Sequence, residues 1–290
     1  MNILLHVLPD ENRRQRLGRG MTDFRKALIA KPGRKVKFSQ WDPDDTLGFH
    51  KGAKCEAKLA DNLAKLDSLQ NLLYAEKKHA LLIVLQAMDA GGKDGTIRHV
   101  MSGVNPQGCS VTSFKTPTAD ELSHDFLWRI HKAVPAAGYL GIFNRSHYED
   151  VLVVRVHELV PKSVWSARYD QINEFEKELT QNRVTILKFF LHISKDEQKK
   201  RFLERIDDVD KRWKISASDF GERKFWAEYV EAYEEALTRC STNRAPWYII
   251  PANKKWIRNL AVSSILVETL EDLKMKYPKP SFDVQDLKWK

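Results

Sequence analysis

The chain is poor in cysteine, and the three it has, Cys55, Cys109 and Cys240, are widely spaced with no C-x-x-C pair. A disulfide framework is therefore excluded, and free thiols in a reducing cytosol are expected. No apolar run reaches the length of a membrane span. The apolar start Met1-Asn2-Ile3-Leu4-Leu5-His6-Val7-Leu8 lacks a basic leader and is too short for a signal peptide. Internal repeats and low-complexity tracts are also missing. His124, His131, His147, His157 and His192 show neither H-E-x-x-H nor Cys/His ligand spacing, which argues against zinc. There is no G-x-S-x-G elbow, no dinucleotide fingerprint and no aromatic-basic RNA motif.

What the chain does have is positive charge. Its 290 residues carry a formal net charge of +9, with an isoelectric point near 9.3, so its partners are expected to be anions. A hydrophobic content of 42% suffices for one substantial core. Up to about residue 50 the sequence is turn-rich and reads as an arm wrapping the domain, partly flexible at its start. Residues 51–276 read as the main domain and 277–290 as a loosely held tail. Leu59, Leu63, Leu66 and Leu73 share one helical face between Cys55 and Glu76. Apolar runs at 81–85, 109–114, 139–143, 184–193 and 246–251 read as strands, the fourth interrupted by Lys188. Helices are expected between them: from a Thr118/Glu121 capping box through Ile130, from Pro161 to Leu179, and from a Ser194/Glu197 cap onward. Two more are expected, from Ser218 to Leu237 and from the last strand to about Lys276. Alternation of strand and helix predicts an α/β fold, a parallel sheet with helices on both faces.

The organising stretch is Ala87-Met88-Asp89-Ala90-Gly91-Gly92-Lys93-Asp94-Gly95-Thr96, which lies between an apolar strand and a helix. Strand, glycine turn, Lys and helix start together make a phosphate-binding loop. Backbone N–H groups from Ala90 to Gly95 and the helix N-terminus are suited to phosphate oxygens, and Lys93 adds a full charge. Ala87 stands where the motif has its first Gly, and Asp94 where it has Ser or Thr.

In a parallel α/β sheet, ligands bind at the carboxyl ends of the strands. Three strands end in polar clusters, at residues 89–94, 144–150 and 192–195. In the second, Asn144 occupies a position where an acid commonly organises metal, so that duty falls to Asp89 with help from Glu149 or Asp150. Arg145 is placed to neutralise a transferring phosphoryl group, although a surface ion pair is an equal reading of its position alone. The basic stretch holding Lys199, Lys200, Arg201, Arg205, Lys211, Arg212 and Lys214 reads either as a solvated helix face or as a helical lid, at about 205–225, over a phosphate donor.

Long ordered segments then resemble the polyphosphate kinase 2 family: MDAGGKDGTIRHVMSGVNPQG from Met88, FNRSHYEDVLVVRVH from Phe143, KFFLHISKDEQKKRF from Lys188 and APWYIIPANKKWIRNLAV from Ala245. The resemblance runs from about Lys31 to Leu270. With Asn144 and Glu149, the second segment is similar to the class III branch, associated with phosphorylation of both AMP and ADP. It implies a three-layer P-loop kinase-like fold, inorganic polyphosphate as donor, and Mg2+, with Mn2+ as an alternative ion. Carried over, Asp89 would hold the metal, and Ala90, Gly91, Gly92, Lys93, Asp94 and Gly95 would bind phosphate. Asn144, Arg145, His147 and Glu149 would face the nucleotide, with Asp89, Lys93, Arg145 and Glu149 as catalytic residues. Arg201, Arg205, Lys211 and Lys214 would face polyphosphate. Val209 stands where the family usually has Pro, and Asn253 where Asp is common.

The expected partners are polyphosphate and AMP, ADP and ATP, with guanine nucleotides as alternatives. A second copy of the chain, in a dimer or tetramer, is also expected; nucleic acid and membrane are not. An ATP-dependent nucleoside monophosphate kinase and a basic RNA-binding protein are the competing readings.

Overall fold

A computed structural model describes residues 23–215 and 217–282. Six strands form one sheet: β1 (Ile29–Ala30), β2 (Ala80–Gln86), β3 (Cys109–Ser113), β4 (Leu140–Asn144), β5 (Val184–His192) and β6 (Trp247–Pro251). Their order is β1-β6-β5-β2-β4-β3. All pairings are parallel except β1 with β6. The sheet is therefore mixed rather than wholly parallel. The exception is a two-residue edge strand from the arm, which can run antiparallel because no crossover helix joins it to its neighbour.

Strands β2, β4 and β6 read as unbroken apolar runs because helices cover both faces. Six helices among the described residues have eight residues or more: α1 (Ala53–Glu76), α2 (Lys93–Val100), α3 (Lys162–Gln181), α4 (Lys195–Asp207), α5 (Trp226–Cys240) and α6 (Lys255–Asp272). Helices α1 and α2 pack with α6 on one face, and α3 packs with α5 on the other. The leucine stripe of α1 meets this core directly: Leu66 and Leu73 are buried, and Leu59 and Leu63 pack against it.

Three expected helices end differently. The segment after Thr118 keeps its capping box but stops at Leu122 and resumes only at Trp128–His131. Asp125 accepts the Leu127 amide at 2.9 Å and so makes a turn where helix was expected. The Ser218–Leu237 helix is split by a 3-10 turn at Arg223–Phe225. The last helix ends at Asp272, two residues before Lys274 takes a left-handed φ of 50°.

The arm does more than wrap. Phe24, Leu28, Ala30, Val36, Phe38 and Leu47 belong to the main core, so from Phe24 onward no physical boundary falls at residue 50. Phe38 stacks on Phe190 at 4.7 Å, and its amide donates to Glu234 at 2.7 Å. The His192 imidazole donates to the Trp41 carbonyl at 3.1 Å; burial pushes its pKa down to about 4. The first part of the arm, before residue 23, lies outside the described residues, as does the tail from 283.

Lys188 does not interrupt β5. Its fully buried ammonium donates to Glu176 at 2.5 Å, to the Cys240 carbonyl at 2.7 Å and to the Tyr148 hydroxyl at 2.8 Å. Tyr148 in turn donates to Glu176 at 2.8 Å. This network joins β5, α3, α5 and the turn after β4, and a buried charge stripped of its partner is expensive. We predict that Lys188→Met lowers unfolding free energy by about 3–5 kcal/mol in urea denaturation. Adding Glu176→Gln should recover at least half of that loss, and no recovery would mean that the pair is not coupled.

Candidate functional site

The carboxyl ends of β2, β4, β5 and β6 lie side by side, and four loops converge there. The loop after β2 holds its shape through residues that could not be larger. A Cβ on Gly91 would fall 2.4 Å from the Ala87 methyl and 2.7 Å from the Met88 carbonyl oxygen. Ala87 can thus replace the motif's first glycine only because residue 91 has no side chain. Gly92 takes a φ of 100° and Ala90 one of 59°, both in the left-handed region that turns successive amides toward one point.

The carbonyls of this loop are turned outward and occupied. Gln198 of α4 donates to the Asp89 carbonyl at 3.0 Å. Arg201 donates to those of Ala90 and Gly91 at 2.9 and 3.1 Å. The amides of Ala90 and Gly92 have no partner, and the first turn of α2 adds further open N–H groups. Open amides, a helix N-terminus and Lys93 make an anion cradle. Lys93 meanwhile donates weakly to the Ala87 carbonyl at 3.3 Å. Burial and the Arg145 charge push its pKa down, while Asp89, Glu149 and Asp94 oppose the shift.

The turn after β4 brings Asn144, Arg145 and Glu149 to the cradle. Arg145 has a left-handed φ of 63°, an uncommon conformation for a side-chain-bearing residue at a turn. Its guanidinium donates to Asp89 at 3.0 Å and lies 3.9 Å from Glu149. Asn144 donates to Asp94 at 2.7 Å, which accounts for the acid where the motif has a hydroxyl. Burial raises the Glu149 pKa against the pull of Arg145 and Lys93.

Asp150 faces the other way. It accepts from Arg168 at 3.1 Å, and burial lifts its pKa to about 6. Glu149, and not Asp150, is therefore the acid at the cradle. No group of three or more His, Cys, Asp or Glu side chains forms a metal cage among the described residues. Asp89 and Glu149 nevertheless fit magnesium, which takes one or two carboxylates and completes its shell with substrate phosphates and water.

Two expected site residues turn out to be structural. His147 is fully buried and donates to Glu176 at 3.3 Å; burial pushes its pKa down. It faces the core network and not a nucleotide, because the 3-10 turn at His147–Val151 rotates it away from Arg145. Arg201 has no donor left for polyphosphate. Besides the two loop carbonyls, it donates to Glu197 at 2.8 Å and to the carbonyls of Ala252 and Asn253 at 2.5 and 3.0 Å.

Arg205 lies over the Phe202 ring, with its guanidinium carbon 5.6 Å from the centroid. Lys211 pairs with Asp208 in its own turn. Lys214 lies 5.1 Å over the Trp213 ring. Arg205 is half-buried near the end of α4, and Lys211 and Lys214 are exposed in the 3-10 turn that follows; among the described residues nothing joins these three cations to the loop. The segment after them is anchored where Arg223 donates to the Lys195 carbonyl and to Gln198, both at 2.8 Å. Asn253 is a clamp: it accepts the Ser194 amide at 3.0 Å and donates to Asp44 at 2.7 Å. An Asp there would face Asp44. Sequence reasoning missed Gln198 and Arg258, both polar residues on buried helix faces. Among the described residues no helix is long and apolar enough to cross a membrane.

The fold and the cradle define a phosphate-loop α/β protein with a preformed anion site. Comparison with known proteins makes this specific: the polyphosphate kinase 2 family model matches residues 50–278, and the chain belongs to that family. It is 57% identical over 256 residues to the AMP/ADP-polyphosphate phosphotransferase of Meiothermus ruber, covering 88% of this chain and 96% of that one. It is 49% identical over 259 residues to the ADP-polyphosphate phosphotransferase of Rhodopseudomonas palustris, covering 85% and 90%. The crystal structure of polyphosphate kinase 2 from Arthrobacter aurescens TC1 superposes with a TM-score of 0.87 at 45% identity, covering 91% of this chain and 94% of that one.

We predict that Glu149→Gln lowers kcat/KM for the nucleotide about a hundredfold by releasing Arg145 from its position. Asp150→Asn should stay within about threefold. Steady-state kinetics on the two variants checks this, and equal losses would contradict the assignment.

Proposed function

We propose that the protein transfers the terminal phosphoryl group of inorganic polyphosphate to AMP and then to ADP, giving ATP. The observation that carries this is the cradle of open amides and Lys93, flanked by Arg145 on the β4 side, with the exposed cations Lys211 and Lys214 on the segment that follows β5 and α4. The names of the relatives support both acceptors. The reacting nucleotide oxygen is ionised at neutral pH, so no general base or protein nucleophile is required. That oxygen forms a bond to the terminal phosphorus of the chain while the bridging P–O bond breaks, and the shortened chain leaves with the electron pair. Positioning and charge neutralisation are what the protein must supply.

The cradle amides and Lys93 hold the transferring group. Arg145, oriented by Asp89 and Glu149, neutralises charge as the two anions meet. Magnesium, held by Asp89 with Glu149 nearby, would offset the charge of the phosphates. Three free cysteines support a reducing, cytoplasmic location.

The test is nucleotide chromatography after incubation with magnesium, polyphosphate and either AMP or ADP, with Lys93→Ala as control. Both acceptors should yield ATP, and the variant should lose at least about a hundredfold in rate. ATP from ADP alone would remove AMP as an acceptor. Turnover with ATP as donor, unaffected by polyphosphate, would replace this reading with an ordinary nucleoside monophosphate kinase.

A further inference from the structure

One cation beside the cradle has no counter-charge. Arg258, in the first turns of α6, is only 2% exposed, yet it makes no ion pair. Its hydrogen bonds are two donations to the neighbouring Asn259 side chain, from Nε at 3.1 Å and Nη2 at 2.8 Å. Nη1 has no partner, and it is not among the side-chain atoms sealed from solvent. A Cβ placed on Gly92 would fall 2.2 Å from Nη1, and one on Gly95 would fall 3.5 Å from Nη2. The guanidinium thus lies against the start of α2, beside Gly92 and Gly95.

A neighbouring charge is repulsive. Arg201 also borders Gly92, with its Nη1 3.5 Å from the same Cβ position. Burial and the Arg201 charge push the Arg258 pKa down to about 10. Arg201 can bear its own burial because Glu197 and four carbonyls satisfy its donors. Arg258 has no such compensation. A buried cation left in this way destabilises the unliganded protein, and a charged guanidinium with Nη1 unpartnered is a donor suited to a phosphate oxygen.

Sheet order says which phosphate. Arg145 follows β4 on one side of the cradle, whereas Arg258 follows β6 beyond β5, the side from which the lid chain emerges. The nucleotide and the donor must approach the transferring group from opposite sides for an in-line transfer. We propose that Arg258 is a binding residue for the polyphosphate donor, gripping a non-transferred phosphate on the lid side of the cradle. This rests on the donor reading above.

Calorimetric titration of sodium tripolyphosphate, without nucleotide, tests it in the parent protein and in Arg258→Met and Arg258→Lys. Loss of a charge-assisted bond predicts affinity weaker by about tenfold or more in the Met variant. The Lys variant should fall between, since it keeps the charge without the fork. KM for AMP should change by less than about threefold in both. The melting temperature without ligand should be unchanged or raised in the Met variant, since an uncompensated buried charge has gone. Equal tripolyphosphate affinity in all three proteins would overturn the role and leave the donor reading standing. So would a rise in KM for AMP without a change in donor affinity. Absence of binding by the parent would remove the donor reading and this role together.

Discussion

Arg201 fastens the loop after β2 to the loop after β6. Its donors reach the carbonyls of Ala90 and Gly91 on one side and those of Ala252 and Asn253 on the other, with Glu197 holding its Nε. Because these carbonyls are turned outward and bonded, the amides of Ala90 and Gly92 remain open, while that of Gly91 donates back to the Met88 carbonyl at 2.9 Å. A glycine turn by itself would be free to satisfy its amides internally or with water. Arg201 and Gln198 remove that freedom, so the phosphate site is formed before any phosphate arrives. Such preorganisation is what electrostatic catalysis requires.

The cost falls on electrostatics. Lys93 and Arg145 repel each other across the cradle, as do Arg201 and Arg258. The empty site therefore holds like charges at close range, balanced only in part by Asp89, Glu149 and Glu197. The surrounding structure keeps them there: β2 is buried along its whole length, and the Lys188–Glu176 pair fixes Tyr148, three residues beyond Arg145. The arrangement suits two polyanionic substrates, each of which relieves part of the repulsion. Stability is given up at the site and recovered in the core, the usual trade at a functional centre.

Much of this was legible in the sequence. The buried strands stand out as apolar runs, and the phosphate loop is recognisable despite Ala87 and Asp94. Arg145 and Glu149 could be placed because a strand end locates them without knowledge of any partner. Long-range pairing was harder to read. Arg201 was taken for a free lid cation because helix periodicity reports a face and not what the face touches.

His147 looked like part of a polar cluster, while its partner Glu176 lies 28 positions beyond Tyr148 in the chain. There was a signal: Glu176 falls on the same stripe of α3 as Ile172 and Leu179, and an acid on an apolar face asks for a buried cation. Arg258 carries a similar one, sitting between Ile257 and the Asn259-Leu260 pair on the buried stretch of α6.

The central claim is that charge neutralisation by Arg145, positioned between two anions, supplies the rate. Single-turnover transfer from polyphosphate to AMP, measured by rapid quench for the parent and Arg145→Gln, tests it most directly. The account predicts a loss of about a thousandfold or more in the transfer step, with affinities for both substrates changed by less than about tenfold. A transfer rate within tenfold of the parent would contradict it and would reduce Arg145 to a surface partner of Asp89.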